Sequence, residues 1–194
     1  RICAPSMAAC PDGGGQPEYD PDKARALLAE AGLADGFDVT ITTVTHVSKA
    51  AEAIAGYLRD VGIRASVDSK TMGGYRKAQG AGKINILVQA YGHGGMPDAG
   101  NALAFYYASK ARDYAKDDEL KAVISEANAT IDLAPRTELN RKAYDMITER
   151  SYIMPIGTNP FVFVHTNDVV LDTSDKAAMM TPYGISAQMF GWAK

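Results

Sequence analysis

Residues 37–67 restrict the fold of this chain more than any other stretch. Phe37-Asp38-Val39-Thr40-Ile41-Thr42-Thr43-Val44 alternates in character and is dense in β-branched side chains, which predicts a strand. Ala50, Ile54, Tyr57, Leu58 and Val61 then recur at helical spacing and stop at Gly62, and Ile63, Ala65 and Val67 alternate again. Strand, helix and strand with short joints form a βαβ unit, whose strands lie parallel with a right-handed crossover. Ile84-Asn85-Ile86-Leu87-Val88 is nearly continuous in apolar residues, as a strand covered on both faces requires. The architecture predicted is a three-layer α/β domain with a mainly parallel sheet.

Asp20 and Pro21 suit the cap and first position of a helix over about 21–31, and Gly32 suits its left-handed stop. Ala24, Leu27, Leu28 and Ala31 give that helix one apolar stripe, expected to pack on the sheet. Residues 71–83 predict a short helix and loop. Two later helices are expected, one from Asp117 or Asp118 carrying Leu120, Val123, Ile124, Ala127 and Ile131, the other from near Pro135 carrying Leu139, Ala143, Met146 and Ile147. Ile153-Met154-Pro155-Ile156 and Phe161-Val162-Phe163-Val164 read as extended pieces. The expected boundaries are an irregular, Pro- and Gly-rich lead-in at 1–18, an α/β lobe at 19–170 and a tail at 171–194.

With 194 residues, 46% hydrophobic and 22% charged, the composition is that of a globular protein able to bury an ordinary core. A net charge of −3 gives no reason to expect nucleic acid as a partner. No apolar run approaches the roughly 20 residues of a membrane-spanning helix. No signal-peptide pattern is present and the chain begins at Arg1, so a piece of a longer chain is expected. Cys3 and Cys10 are the only cysteines, and on spacing alone they read equally as a disulfide or as two unpaired small residues. Two cysteines without nearby histidines do not make a zinc site, and no cofactor is expected.

Motifs of nucleotide chemistry fail on their spacing. Gly80-Ala81-Gly82-Lys83 lacks the first glycine of a phosphate loop, where Lys77 stands, and the Ser or Thr after the lysine, where Ile84 stands. No GxGxxG, GxSxG or HExxH pattern occurs. What remains is the turn after the buried strand, Gln89-Ala90-Tyr91-Gly92-His93-Gly94-Gly95-Met96-Pro97-Asp98. Ligands of open α/β sheets sit outside the carboxyl ends of the strands, and the loop Thr45-His46-Val47-Ser48 is expected on the same edge. Glycines there admit close backbone approach, and Tyr91 offers a flat face with a polar tip. On spacing alone the plainer reading is a tight solvated turn with His93 exposed.

The order of these elements resembles the second lobe of the extracytoplasmic solute-binding proteins of peptide- and nickel-type ABC importers, family 5, over roughly residues 17–170. The resemblance rests on Tyr19-Asp20-Pro21-Asp22-Lys23-Ala24-Arg25-Ala26-Leu27-Leu28, on the helix-to-strand join Ala53–Ile63, and on the segment from Met72 to Tyr75. It continues through the Gly-rich turn, the late helices and Met154-Pro155-Ile156. It implies a type II periplasmic-binding-protein-like lobe, a periplasmic or other extracytoplasmic location, and a disulfide between Cys3 and Cys10. It also implies two partners: a membrane permease and an N-terminal lobe of the same chain, on which the 171–194 tail would pack. The turn at 91–98 resembles the family's Trp-x-x-Asp-x-x-Asp-Pro-Asp region, whose early aspartate pairs with the α-ammonium of bound peptides. Here His93 or Gly94 holds that place and Met96 precedes the proline; only Pro97 and Asp98 follow the pattern. A free peptide N-terminus would thereby lose a charge-assisted partner worth about 1.5–3 kcal/mol.

The function expected is therefore non-catalytic: a small polar solute, such as a peptide or a peptide-like or opine-like compound, is trapped between two lobes and passed to a permease. Tyr91, His93, Met96 and Asp98, with Thr45 and His46, are the expected ligand-binding residues. The alternatives are a hydrolase fragment using His93 or His46 as base, and a receptor engaging a chemosensory or chaperone partner through its outer surface.

Overall fold

The computed structural model describes residues 2–5, 7–92, 98–157, 164–172 and 190–192. Contacts divide the chain into two compact units, one of Pro17–Ala90 with Lys110–Tyr114, the other of Arg1–Gln16, Tyr91–Ser109 and Ala115–Lys194.

The first unit contains the βαβ core. Strand β1 (Asp38–Val44) pairs in parallel with β2 (Arg64–Lys70) on one side and with β3 (Ile86–Val88) on the other, in the order β2-β1-β3. Ile41 stands opposite both Val67 and Ile86, so one face of the sheet gathers apolar side chains. That face packs on helix α2 (Ser48–Asp60), where Ile41, Ala51, Ala55 and Val88 form a buried cluster. Val44 on the opposite face packs with Tyr75 and Ile84, beneath helix α3 (Met72–Gly80). Helix, sheet and helix make the three layers expected from residues 37–88.

Helix α1 (Pro21–Glu30) opens this unit. Asp20 Oδ1 accepts from the Lys23 N–H at 2.8 Å, and Pro21 occupies the first turn. Its end repeats a device that also closes α2 and α3. The N–H of Gly32 bonds Ala29 O while that of Leu33 reaches back to Leu28 O, and the same pair of bonds recurs at Gly62–Ile63 and Gly82–Lys83. All three glycines hold positive φ, the left-handed stop of a helix. The apolar stripe of α1, however, does not pack as the sequence suggested: the helix has no fully buried residue, and Leu27 is 54% exposed. Tyr19 stacks edge-on against Tyr57, and Arg25 donates to Asp60 O, which ties α1 to the α2 end of the unit.

The second unit is helical. Helices α4 (Ala99–Tyr107), α5 (Asp118–Ala129) and α6 (Leu133–Glu149) bury Leu103, Tyr107, Leu120, Val123, Ile124, Ala143, Tyr144 and Ile147 in one cluster with Cys3. Helix α4 escaped the sequence reading because most of its residues are apolar or small, which erases the two-sided pattern of a surface helix. Cys3 and Cys10 form a disulfide. A short antiparallel pair, β4 (Val169–Leu171) and β5 (Phe190–Trp192), was not expected from the sequence. Ile153–Ile156 carries no strand, contrary to expectation; Pro155 supplies no N–H for a ladder, and Met154 and Ile156 are each 64% exposed. Of the other extended piece, residues 161–163 lie outside the described residues, and Val164 is exposed.

Candidate functional site

In the first unit, the carboxyl ends of the strands present a polar rim. Beyond Val44 the chain makes a single 3₁₀ turn, Thr45–Val47, before entering α2. Thr45 Oγ1 donates to Lys70 O at 3.4 Å, which joins the ends of β1 and β2. His46 is exposed on that turn and makes no hydrogen bond or ion pair among the described residues. At the end of β3, Gln89 Oε1 accepts from the Tyr75 hydroxyl at 2.9 Å. Burial pushes the Tyr75 phenol above its ordinary value, so it remains a hydroxyl donor across the neutral range. The structure thus holds Thr45 and His46 together on one turn.

Tyr91 and Asp98 belong to the other unit. The ring of Tyr91 lies 5.1 Å from that of Phe105 and 5.7 Å from that of Tyr106, and those two rings meet edge-to-face at 5.0 Å. These spacings are those of mutually attractive aromatic pairs, so Tyr91 is held by packing. Burial raises its pKa as well. Both carboxylate oxygens of Asp98 have partners: Oδ1 accepts from the Gly100 N–H at 2.8 Å as the cap of α4, and Oδ2 meets Arg136 Nη2 at 2.9 Å. His93 and Met96 lie outside the described residues.

Sequence reasoning missed Phe105, Tyr106 and Arg136. One signal was available: Pro97-Asp98 ahead of a mostly small and apolar run is a helix start, and recognising it would have placed the two adjacent aromatics about two turns beyond the ligand turn. Nothing in the sequence marks Arg136 as the partner of Asp98, because the pairing spans the fold. Among the described residues no group of three or more His, Cys, Asp or Glu side chains is arranged to hold a metal ion.

The profile of the bacterial extracellular solute-binding proteins, family 5 Middle, matches residues 2–114, more than half of the chain. The chain belongs to that family. Di/tripeptide-binding protein 1 of Pseudomonas aeruginosa is 30% identical over 152 residues, a match covering 72% of this chain and 28% of that protein. The glutathione-binding protein GsiB of Escherichia coli K12 is 27% identical over 166 residues, 78% of this chain and 32% of that protein. This family 5 chain therefore spans under a third of the length of these relatives. Among solved structures, the periplasmic binding protein DppA of Helicobacter pylori in complex with the peptide STSA superposes with a TM-score of 0.64 at 25% identity, over 75% of this chain and 30% of that one. OppA of Burkholderia pseudomallei, at 18% identity, shares the fold over 97% of this chain and 39% of its own, with a TM-score of 0.72. The fold is that of a type II periplasmic-binding-protein lobe. Membership of a solute-binding family displaces the hydrolase alternative. No helix among the described residues is long and apolar enough to cross a membrane.

Proposed function

We propose that this chain is the C-terminal lobe of the solute receptor of an ABC importer, working outside the cytoplasm with an N-terminal lobe and a membrane permease. The observation that carries this reading is the family 5 match over residues 2–114, which spans the parallel sheet, its polar rim and the 91–98 turn. In the proposed receptor, Tyr91, His93 and Met96 of the 91–98 turn meet the solute, as do Thr45 and His46 of the β1 turn. Asp98 acts differently: with both oxygens engaged, it fixes the start of α4. Solute capture proceeds by closure of the lobes, with no bond made or broken. A disulfide such as Cys3–Cys10 persists in an oxidising compartment, which supports the extracytoplasmic placement.

The solute class follows from the turn's chemistry. Relatives are named for di- and tripeptides and for glutathione. In this chain residues 90–96 contain no carboxylate to receive an α-ammonium. The reading is a peptide-like solute whose recognition does not depend on a free amino terminus. Titration calorimetry of the two-lobed receptor against paired free and N-acetylated dipeptides tests it. Equal affinity within about threefold is expected, since no charge-assisted bond worth about 1.5–3 kcal/mol is at stake. A preference for the free amine of more than about tenfold refutes the solute class, and silence toward peptides, glutathione and opines alike refutes the receptor.

A further inference from the structure

The first residues of the chain do more than lead into the fold. Ala8 O accepts the N–H of Ala99 at 2.9 Å, and Ala8 forms a parallel bridge with Asp98. Ala99 is the first residue of α4, and its N–H is one the helix cannot satisfy internally. The next carbonyl, Ala9 O, accepts from Asn140 Nδ2 at 2.9 Å, a side chain on α6 with no solvent exposure. Asp12 O in turn accepts from Arg141 Nη1. Consecutive carbonyls at 8 and 9 thus serve two different helices, and Ala9 reaches this geometry with φ at +52°, a region an alanine seldom adopts. Something must hold residues 8 and 9 in place. The Cys3–Cys10 bond closes a loop of seven-residue separation around them, with Cys3 buried in the α4–α5–α6 core and Cys10 half-buried beside it.

We infer that the Cys3–Cys10 loop is a redox-sensitive clamp on the N-terminus of α4, holding the Ala8 carbonyl on Ala99 and so fixing where the chain leaves the 91–98 turn. A dithiol reductant opens it. The disulfide accepts two electrons and two protons to give two cysteine thiols, and the dithiol loses the same and closes to its own disulfide. Residues 8 and 9 are then free to relax out of their directions, and the Ala99 N–H loses its acceptor. Asp98 keeps its second anchor, because the ion pair to Arg136 does not pass through the loop. The clamp stands on these hydrogen bonds alone; its effect on solute affinity rests on the function proposed above.

Native-state hydrogen exchange of the protein with and without dithiothreitol tests the clamp without any solute, so its failure is separable from failure of the receptor reading. Reduction is expected to speed exchange at Ala99 about tenfold, the effect of losing one ordinary hydrogen bond, while Val123 and Ile147 stay protected. A Cys3→Ala/Cys10→Ala chain without reductant should reproduce the pattern; if it fails to fold, the reduction arm decides alone. Unchanged exchange at Ala99 overturns the inference. So does uniform acceleration through α4, α5 and α6, which would make the disulfide a general staple of the unit.

Discussion

Gly36 and Gly32 form a matched pair that separates the two costs of replacing a glycine. Their φ values are +71° and +73°, so an added Cβ meets the same backbone penalty at each. At Gly32 nothing lies within 4 Å of that Cβ, whereas at Gly36 it would fall 1.9 Å from Gly62 O. Gly32→Ala therefore costs only the left-handed conformation, about 1–2 kcal/mol, reduced by the entropy the unfolded chain loses, for a net of about 1 kcal/mol. Gly36→Ala pays this and must also move backbone by more than an ångström. Two residues on from Gly62, the start of the sheet is held by hydrogen bonds that such a shift would disturb: Arg64 N–H bonds Phe37 O at 2.8 Å, and Arg64 Nη1 bonds Asp35 O at 3.0 Å. Losing both adds about 1–3 kcal/mol, so Gly36→Ala is expected to destabilise by about 2–4 kcal/mol. Urea titrations followed by far-ultraviolet circular dichroism, with exchange at Ile41 reporting the sheet itself, measure the difference. If Gly36→Ala and Gly32→Ala agree within about 0.5 kcal/mol at unchanged slope, the close approach to Gly62 does not constrain the fold and the reasoning is wrong.

Three further outcomes are expected. Ser151 ends α6 with φ at +54° and the same two backward bonds that the glycines make elsewhere, so Ser151→Gly should stabilise by about 0.5–1 kcal/mol in the same titration; a loss would show that its side chain matters more than its backbone. Arg136→Met keeps the stem but removes the partner of Asp98, and because both side chains are about a quarter exposed the cost should be about 1 kcal/mol, with faster exchange at Gly100; no change in either would refute the anchoring role. Asp117 caps α5 through the Leu120 N–H and pairs with Arg150, and these hold its pKa down to about 2. A depressed carboxylate contributes stability that is complete above its usual value near 3.8 and disappears as pH falls through about 2, so Asp117→Asn should lower stability at pH 7 and flatten its pH dependence between those two values; an unchanged pH profile would refute the role.

The parts of the fold legible in the sequence were those specified locally. The alternation at 37–44, the period of α2 and the glycine stops at Gly32 and Gly62 are each written within a few residues, and the parallel pairing of β1 and β2 follows from the length of the connection between them. Helix α4 was not legible by period because Ala99, Ala102, Leu103 and Tyr107 are buried amid residues that are themselves apolar or small. Burial of the α1 stripe was misjudged for a different reason: amphipathicity says that a face can pack, and not that a neighbour comes to meet it. At the candidate site, Thr45 and His46 were readable from their place after β1. The roles of Asp98 and Arg136 were not, since a carboxylate in a ligand turn and a carboxylate capping a helix look alike until its two oxygens are traced to Gly100 and Arg136.

Helix α1 shows that what makes a chain recognisable and what holds it together can reside in different residues. Its ten residues bury no side chain fully, and its geometry is set by Asp20, Pro21 and Gly32. A helix framed this way carries its instructions with it, so exchanging Leu27 for a polar residue should alter the chain's resemblance to its relatives more than its melting. The segment behaves as a signature, while Ile41, Leu103 and Ile147, none of which distinguishes one α/β protein from another, bear the weight.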